Sequence, residues 1–186
     1  AEGTAETESK QEFVHGVVAF GGGILVAAVA FALVPHGMEV LHPMALALTF
    51  CVGGMVFCII DILLAKHGGN NAQFLAMLMD FIPEAIAMGA VFVASRQTGI
   101  LLALFIGAQN LPEGFNAFRE SIANGQNSRK ILVSLAAISL LGPLAACSGY
   151  LFLQNLHVLT AIIMTFAGGG ILYLIFQDIA PQVPLR

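Results

Sequence analysis

An all-α integral membrane protein is predicted by this sequence: a six-helix bundle with two central proline-kinked helices and an internal inverted repeat. Three observations predict it. Of 186 residues, 58% are hydrophobic and 10% are charged, and the mean hydropathy is +0.89, which lies outside the range of ordinary soluble domains. The apolar residues fall into six runs, each of about 20 residues, the length an α-helix needs to cross a bilayer. Two of those runs carry acids beside a proline, DFIPE at 80–84 and QNLPE at 109–113.

Residues 1–12, AEGTAETESKQE, have the small polar composition of a solvated tail, and 13–186 form the membrane domain. The predicted helices cover residues 14–38, 43–65, 73–95, 98–118, 131–153 and 157–179. Their connections, around Leu41–His42, His67–Asn71, Arg96–Thr98, Glu120–Arg129 and Gln154–Leu156, leave no room for a soluble domain. The first residue is Ala rather than Met, which leaves room upstream for a signal, a transit peptide or a whole helix. The first and last helices resemble each other: FGGGILVAAVAFALVP (Phe20 to Pro35) and FAGGGILYLIFQDIAP (Phe166 to Pro181) share an aromatic residue, three glycines followed by Ile-Leu, and a closing proline. Their opposite directions across the membrane suit an inverted repeat, with the glycines as packing surfaces.

Lys10, Lys66, Arg119, Arg129, Lys130 and Arg186 fall on one side of this topology and Arg96 on the other. Positive residues are retained on the cytoplasmic or equivalent side, so both termini are placed there. The net charge of −4 adds little to that assignment. No basic cluster marks a nucleic-acid or anionic-lipid surface. Cys51, Cys58 and Cys147 are too few and too scattered for a disulfide framework and read as small apolar packing residues.

The two acidic motifs carry the chemistry. Asp80 and Glu84 lie one helical turn apart and share a face, as do Gln109 and Glu113. Pro83 cannot donate to the carbonyl of Met79, nor Pro112 to that of Ala108, so each turn gains a free backbone oxygen and is predicted to kink. An ionised carboxylate at the bilayer centre costs roughly 2.5–3.5 kcal/mol on insertion scales, so Asp80, Glu84 and Glu113 together cost on the order of 7–10. No basic residue lies at matching depth. A bound cation, protonation, or both must offset the charge. The competing account is that the acids stay protonated and bridge helices, although one carboxyl would serve for that. Asp61 and Asp178, near the inner helix ends, read as snorkelling or capping residues. His36, His42 and His157 read as histidines of the outer mouth.

A polar residue and PE on a kinked helix, followed by QNLPEG, resembles the fourth and fifth helices of the ZIP (Zrt-, Irt-like) divalent metal transporters, especially the GufA-like branch. AFGGGILVAAVAFALVP is similar to that family's second helix, LLGPLAACSGY to its sixth and FAGGGILYLIFQDIAP to its seventh. On this alignment the chain matches family helices two to seven. The resemblance implies a binuclear site. One metal falls to Asp80, Glu84, Gln109 and Glu113; a second is bridged by the two glutamates and completed by positions that read Phe81, Asn110 and Gly142 here. Phe81 and Gly142 supply no side-chain ligand, so the second site is degraded, with Asn110 left as support.

The remaining site is all oxygen, which shifts the balance from zinc toward manganese or iron(II). Three carboxylates around a divalent ion leave a charge of −1, so one of them is expected to hold a proton. The function implied is movement of a divalent cation toward the Lys/Arg-rich side, with the metal as substrate and no organic cofactor. Its surroundings are the lipid bilayer and either a second copy of the chain or a larger membrane complex. The alternative is a transport-inactive ZIP-derived structural subunit of such a complex. Nothing resembles a nucleophile with its base, so an enzyme is not expected. The topology is directly testable: Lys10 and Arg186 should be labelled or cleaved from the same face of a sealed vesicle, and labelling from opposite faces would refute it.

Overall fold

The computed structural model describes residues 2–67, 72–153 and 155–182. The loop expected at His67–Asn71, Gln154 in the last loop, and Arg186 lie wholly or in part outside the described residues, as do the side chains of Lys10, Asp80 and Asp178. The chain forms six helical rods, with no strand among the described residues. The first rod is α1 (Glu2–Ala28), which passes through a π turn at Val29–Leu33 into α2 (Val34–Val40). Then follow α3 (Pro43–His67), α4 (Ala72–Ala94), α5 (Arg96–Ala123), α6 (Ser128–Leu153) and α7 (His157–Leu174). A π turn at Ile175–Ile179 and a short 3-10 turn at Ala180–Gln182 complete it. Helix starts are marked by side-chain caps where the chain turns. Ser95 Oγ accepts from the Thr98 amide at 3.3 Å, and Asn127 Oδ1 from the Arg129 amide at 2.9 Å.

Four of the rods are long and apolar enough to cross a membrane: Glu12–Val40, Pro43–Leu64, Ser128–Leu153 and His157–Gln177. The sequence predicts six. Among the described residues α4 contributes the apolar run Phe81–Val93, and α5 carries Gln109, Asn110, Glu113, Asn116, Arg119 and Glu120 toward its C-terminal half. α4 packs on α5, α6 and α7, and α5 packs on α1 as well. Meanwhile Phe20, Phe31, Leu104, Leu140, Phe152 and Phe176 are exposed. In a bundle of helices this apolar, such side chains are the lipid-facing surface of a multi-pass membrane protein.

The departures from α geometry do not fall where proline kinks were predicted. α4 and α5 stay helical through Pro83 and Pro112. The π turns lie instead in the first and last rods, each ahead of a proline. Val34 N–H bonds the carbonyl of Val29, and Ala180 N–H bonds that of Ile175, five residues back in both cases. The wider turn takes up the space the ring of Pro35 or Pro181 would otherwise claim from the carbonyl four residues earlier. Both π turns start nine residues after Phe20 or Phe166 and six before the proline.

The rods form two close-packed groups, α4 with α6 and α3 with α7, and α5 packs on both α4 and α1. Each group has a crossing at which backbones touch. A Cβ on Gly89 of α4 would run into the carbonyl oxygen of Ala146 on α6, and one on Gly149 of α6 into that of Ile86 on α4. Gly53 and Gly169 do the same for α3 and α7, facing Phe166 and Phe50. In lipid there is no hydrophobic force between helices, so close backbone approach over small residues is what holds such pairs. Between the groups lies the buried core: Leu25, Val29 and Leu33 from the first rod, Ala87 and Val91 from α4, Leu102 from α5, and Met164 and Ile171 from α7.

Candidate metal centre

Glu84 lies near the midpoint of α4 and Gln109 near that of α5. Both are buried, with 2% and 1% of their surface exposed. The α4–α5 contact sets them face to face, and Gln109 Nε2 donates to Glu84 Oε2 at 2.5 Å. Because the amide nitrogen is committed to the carboxylate, its oxygen points away. Gln109 Oε1 is buried and has no hydrogen-bond partner among the described residues. An amide oxygen left unsatisfied costs about 1–3 kcal/mol. It is an acceptor waiting for a cation or a proton donor.

Gln109, Glu113 and Asn116 line a small cavity of about 50 Å³ between α5 and α1. Its far wall is Val18, Gly21, Gly22 and Leu25, closed by Ile179 from the second π turn. Pro112 is buried against Gly21, where a Cβ would approach its Cγ to 2.6 Å. That volume accommodates an ion with a water or two. Gln109 therefore links the acids, hydrogen-bonded to Glu84 and sharing a cavity with Glu113.

Asn110, the next residue, faces elsewhere, since successive helical side chains diverge. It lines a larger cavity of about 600 Å³ between α4, α5 and α6, together with Phe81 and Gly142. Its Nδ2 donates to the Ile106 carbonyl at 2.7 Å within its own helix. The Phe81 ring lies against Gly142, so that a Cβ there would overlap the ring edge. The two positions that lack ligand atoms are thus in contact: an aromatic ring fills the place a side chain from α6 would need.

The side chain of Asp80 lies outside the described residues, so its place beside Glu84 is an expectation from the helical spacing alone. Among the described residues no three His, Cys, Asp or Glu side chains converge into a metal cage. Asp61 does not snorkel free. It accepts from Tyr173 Oη at 3.0 Å across the α3–α7 contact. His36 has a buried Nε2 with no partner among the described residues. Asn116 and Glu120 continue the Gln109 face of α5, and Asn116 Nδ2 donates to Glu120 Oε1 at 3.0 Å. The spacing in QNLPEGFNAFRE carries that signal, although the PE motif does not single it out.

Fold and site define a multi-pass helical membrane protein with a buried carboxylate–amide pair at mid-depth. No family model matches the chain. It is 34% identical over 122 residues to the zinc transporter GufA of Myxococcus xanthus, an alignment that covers 62% of this chain and 48% of that protein. The chain spans about half the length of this curated relative. The match bears out the resemblance to the GufA-like branch of the ZIP transporters carried by the helix motifs, and the relative is named a transporter rather than an enzyme.

The Phe81–Gly142 contact gives a stability prediction. Gly142→Leu should lower the thermal unfolding temperature in detergent, since overpacking costs about 1–3 kcal/mol. Adding Phe81→Ala should recover most of the loss. An equal loss in the single and double variants would contradict the contact.

Proposed function

We propose that this chain moves a divalent metal cation across a membrane, through a site between α4 and α5 in which Glu84 and Glu113 supply charge and Gln109 Oε1 a neutral oxygen. Asp80, one turn before Glu84, is the third carboxylate of the set, and Asn110 supports from the neighbouring cavity. The observation that carries this reading is the orphaned amide oxygen of Gln109, buried beside a carboxylate at mid-depth in an apolar bundle. The relative named a zinc transporter supports metal as the cargo. An oxygen-only donor set suits manganese or iron(II) at least as well as zinc. One of the acids keeps a proton in the bound state, so that metal and proton compete. Transport runs toward the Lys/Arg-rich side, where both termini lie, and the equal spacing of the two π turns supports pairing of the first and last rods as an inverted repeat.

The second reading, a transport-inactive structural subunit of a larger membrane complex, is favoured by one observation. Phe81 packs against Gly142, two second-metal positions that carry no ligand atom. The two readings part at Glu113. In proteoliposomes Glu113→Gln should abolish zinc or manganese uptake, because an amide keeps the shape but cannot supply the charge that offsets dehydration of the ion. Its thermal stability should hold or rise, as a costly buried carboxylate is gone. Wild-type protein with no metal-dependent uptake would sink the transporter reading.

A further inference from the structure

Ile179 closes the small cavity at Gln109 and Glu113, and it does so from a turn that is not α-helical. Up to Leu174 the last rod is regular, and Ile171 and Ile175, one turn apart, belong to the buried core. An unbroken α-helix would bring position 178, an aspartate, onto that face next, two turns after Ile171. The π turn at Ile175–Ile179 inserts one residue into the repeat, with Ala180 N–H bonded to the carbonyl of Ile175. Each later residue then takes the angular place of its predecessor. Ile179 therefore stands where an unbroken helix would present an acid, packed against the core cluster and lining the cavity.

The wall is held close from behind. On α1 a Cβ at Gly22 would come within 2.9 Å of Ile179 Cγ2, and one at Gly21 within 2.6 Å of Pro112 Cγ. Glycine at both places lets the two apolar side chains approach α1, and about 50 Å³ remains between them. Polar side chains reach this space from α5 alone: Gln109, whose buried Oε1 has no partner among the described residues, with Glu113 and Asn116. The remaining walls are hydrocarbon or glycine.

We propose that Ile179 is a specificity-determining residue: it sets the size of this cavity and so selects divalent cations that give up their water over magnesium, which keeps it. The inference rests on the ion site proposed above. Donor type alone cannot make that choice, because carboxylate and carbonyl oxygens suit magnesium as well as manganese. Size can. A water takes about 30 Å³ in the liquid, so an octahedral shell of six needs roughly 180 Å³. The cavity has room for an ion with a water or two, so most of the shell must be left behind. Magnesium dehydrates reluctantly and keeps several waters when bound. To a retained water the isoleucine offers neither space nor a hydrogen bond.

The test is competition, with manganese bound to the full chain in detergent and magnesium as the displacing ion. In Ile179→Ala the excess of magnesium needed to displace half of the manganese should fall by about tenfold, the scale on which a missing methylene or two changes selection in an apolar pocket. Manganese affinity should stay within about threefold of the wild type, since no ligand atom is removed. Ile179→Val trims one methyl, should move the same ratio by a smaller amount, and carries the test if Ile179→Ala does not fold. An unchanged ratio in the folded variants would overturn the proposal. So would a parallel loss of both metals, the mark of a merely structural residue. Failure of the ion site reads differently: the wild type would bind no manganese, and the site would fall together with its selectivity.

Discussion

A single amide, hydrogen-bonded to a carboxylate at mid-depth in an apolar bundle, sets the terms for the rest of this molecule. A charged hydrogen bond is worth about 1.5–3 kcal/mol. A carboxylate at the bilayer centre costs roughly 2.5–3.5. Gln109 can therefore offset Glu84. On the proposed reading a divalent cation, with a proton on one acid, balances the rest of the set.

That constraint also explains the arrangement of the helices. α5, which carries Gln109 and Glu113, is not among the spans long and apolar enough to cross a membrane. α4 packs against α5, α6 and α7, and the rods present phenylalanines and leucines outward, Leu104 and Leu111 of α5 among them. With lipid on the outside, cohesion comes from backbone contact at Gly89 and Gly149 in one group and at Gly53 and Gly169 in the other. The same close packing separates two neighbouring positions on α5. Gln109 faces the small cavity toward α1, whereas Asn110 faces the large one, where Phe81 meets Gly142.

The helical class was legible in the apolar runs, because a chain in lipid must satisfy its backbone within each segment. The pairing of Gln109 with Glu84 was legible in part. Spacing placed each on its own helix face, but only the α4–α5 contact shows which nitrogen meets which oxygen. The wide turns were not legible: they precede Pro35 and Pro181, whereas the helix assignment runs on through Pro83 and Pro112, with Pro112 packed against Gly21. Asp61 was read as a residue near a helix end; its partner, Tyr173, lies over a hundred positions away and has no sequence signature.

The most direct measurement is X-ray absorption at the metal edge on purified protein loaded with zinc. Cys51, Cys58 and Cys147 lie on α3 and α6, and none of them lines the cavity at Glu113. Oxygen neighbours alone are predicted, at about 2.0–2.2 Å, and they should disappear in a Glu84→Gln, Glu113→Gln double substitution. A thiolate sulfur at about 2.3 Å, or a spectrum unchanged by that substitution, would contradict a carboxylate site between α4 and α5.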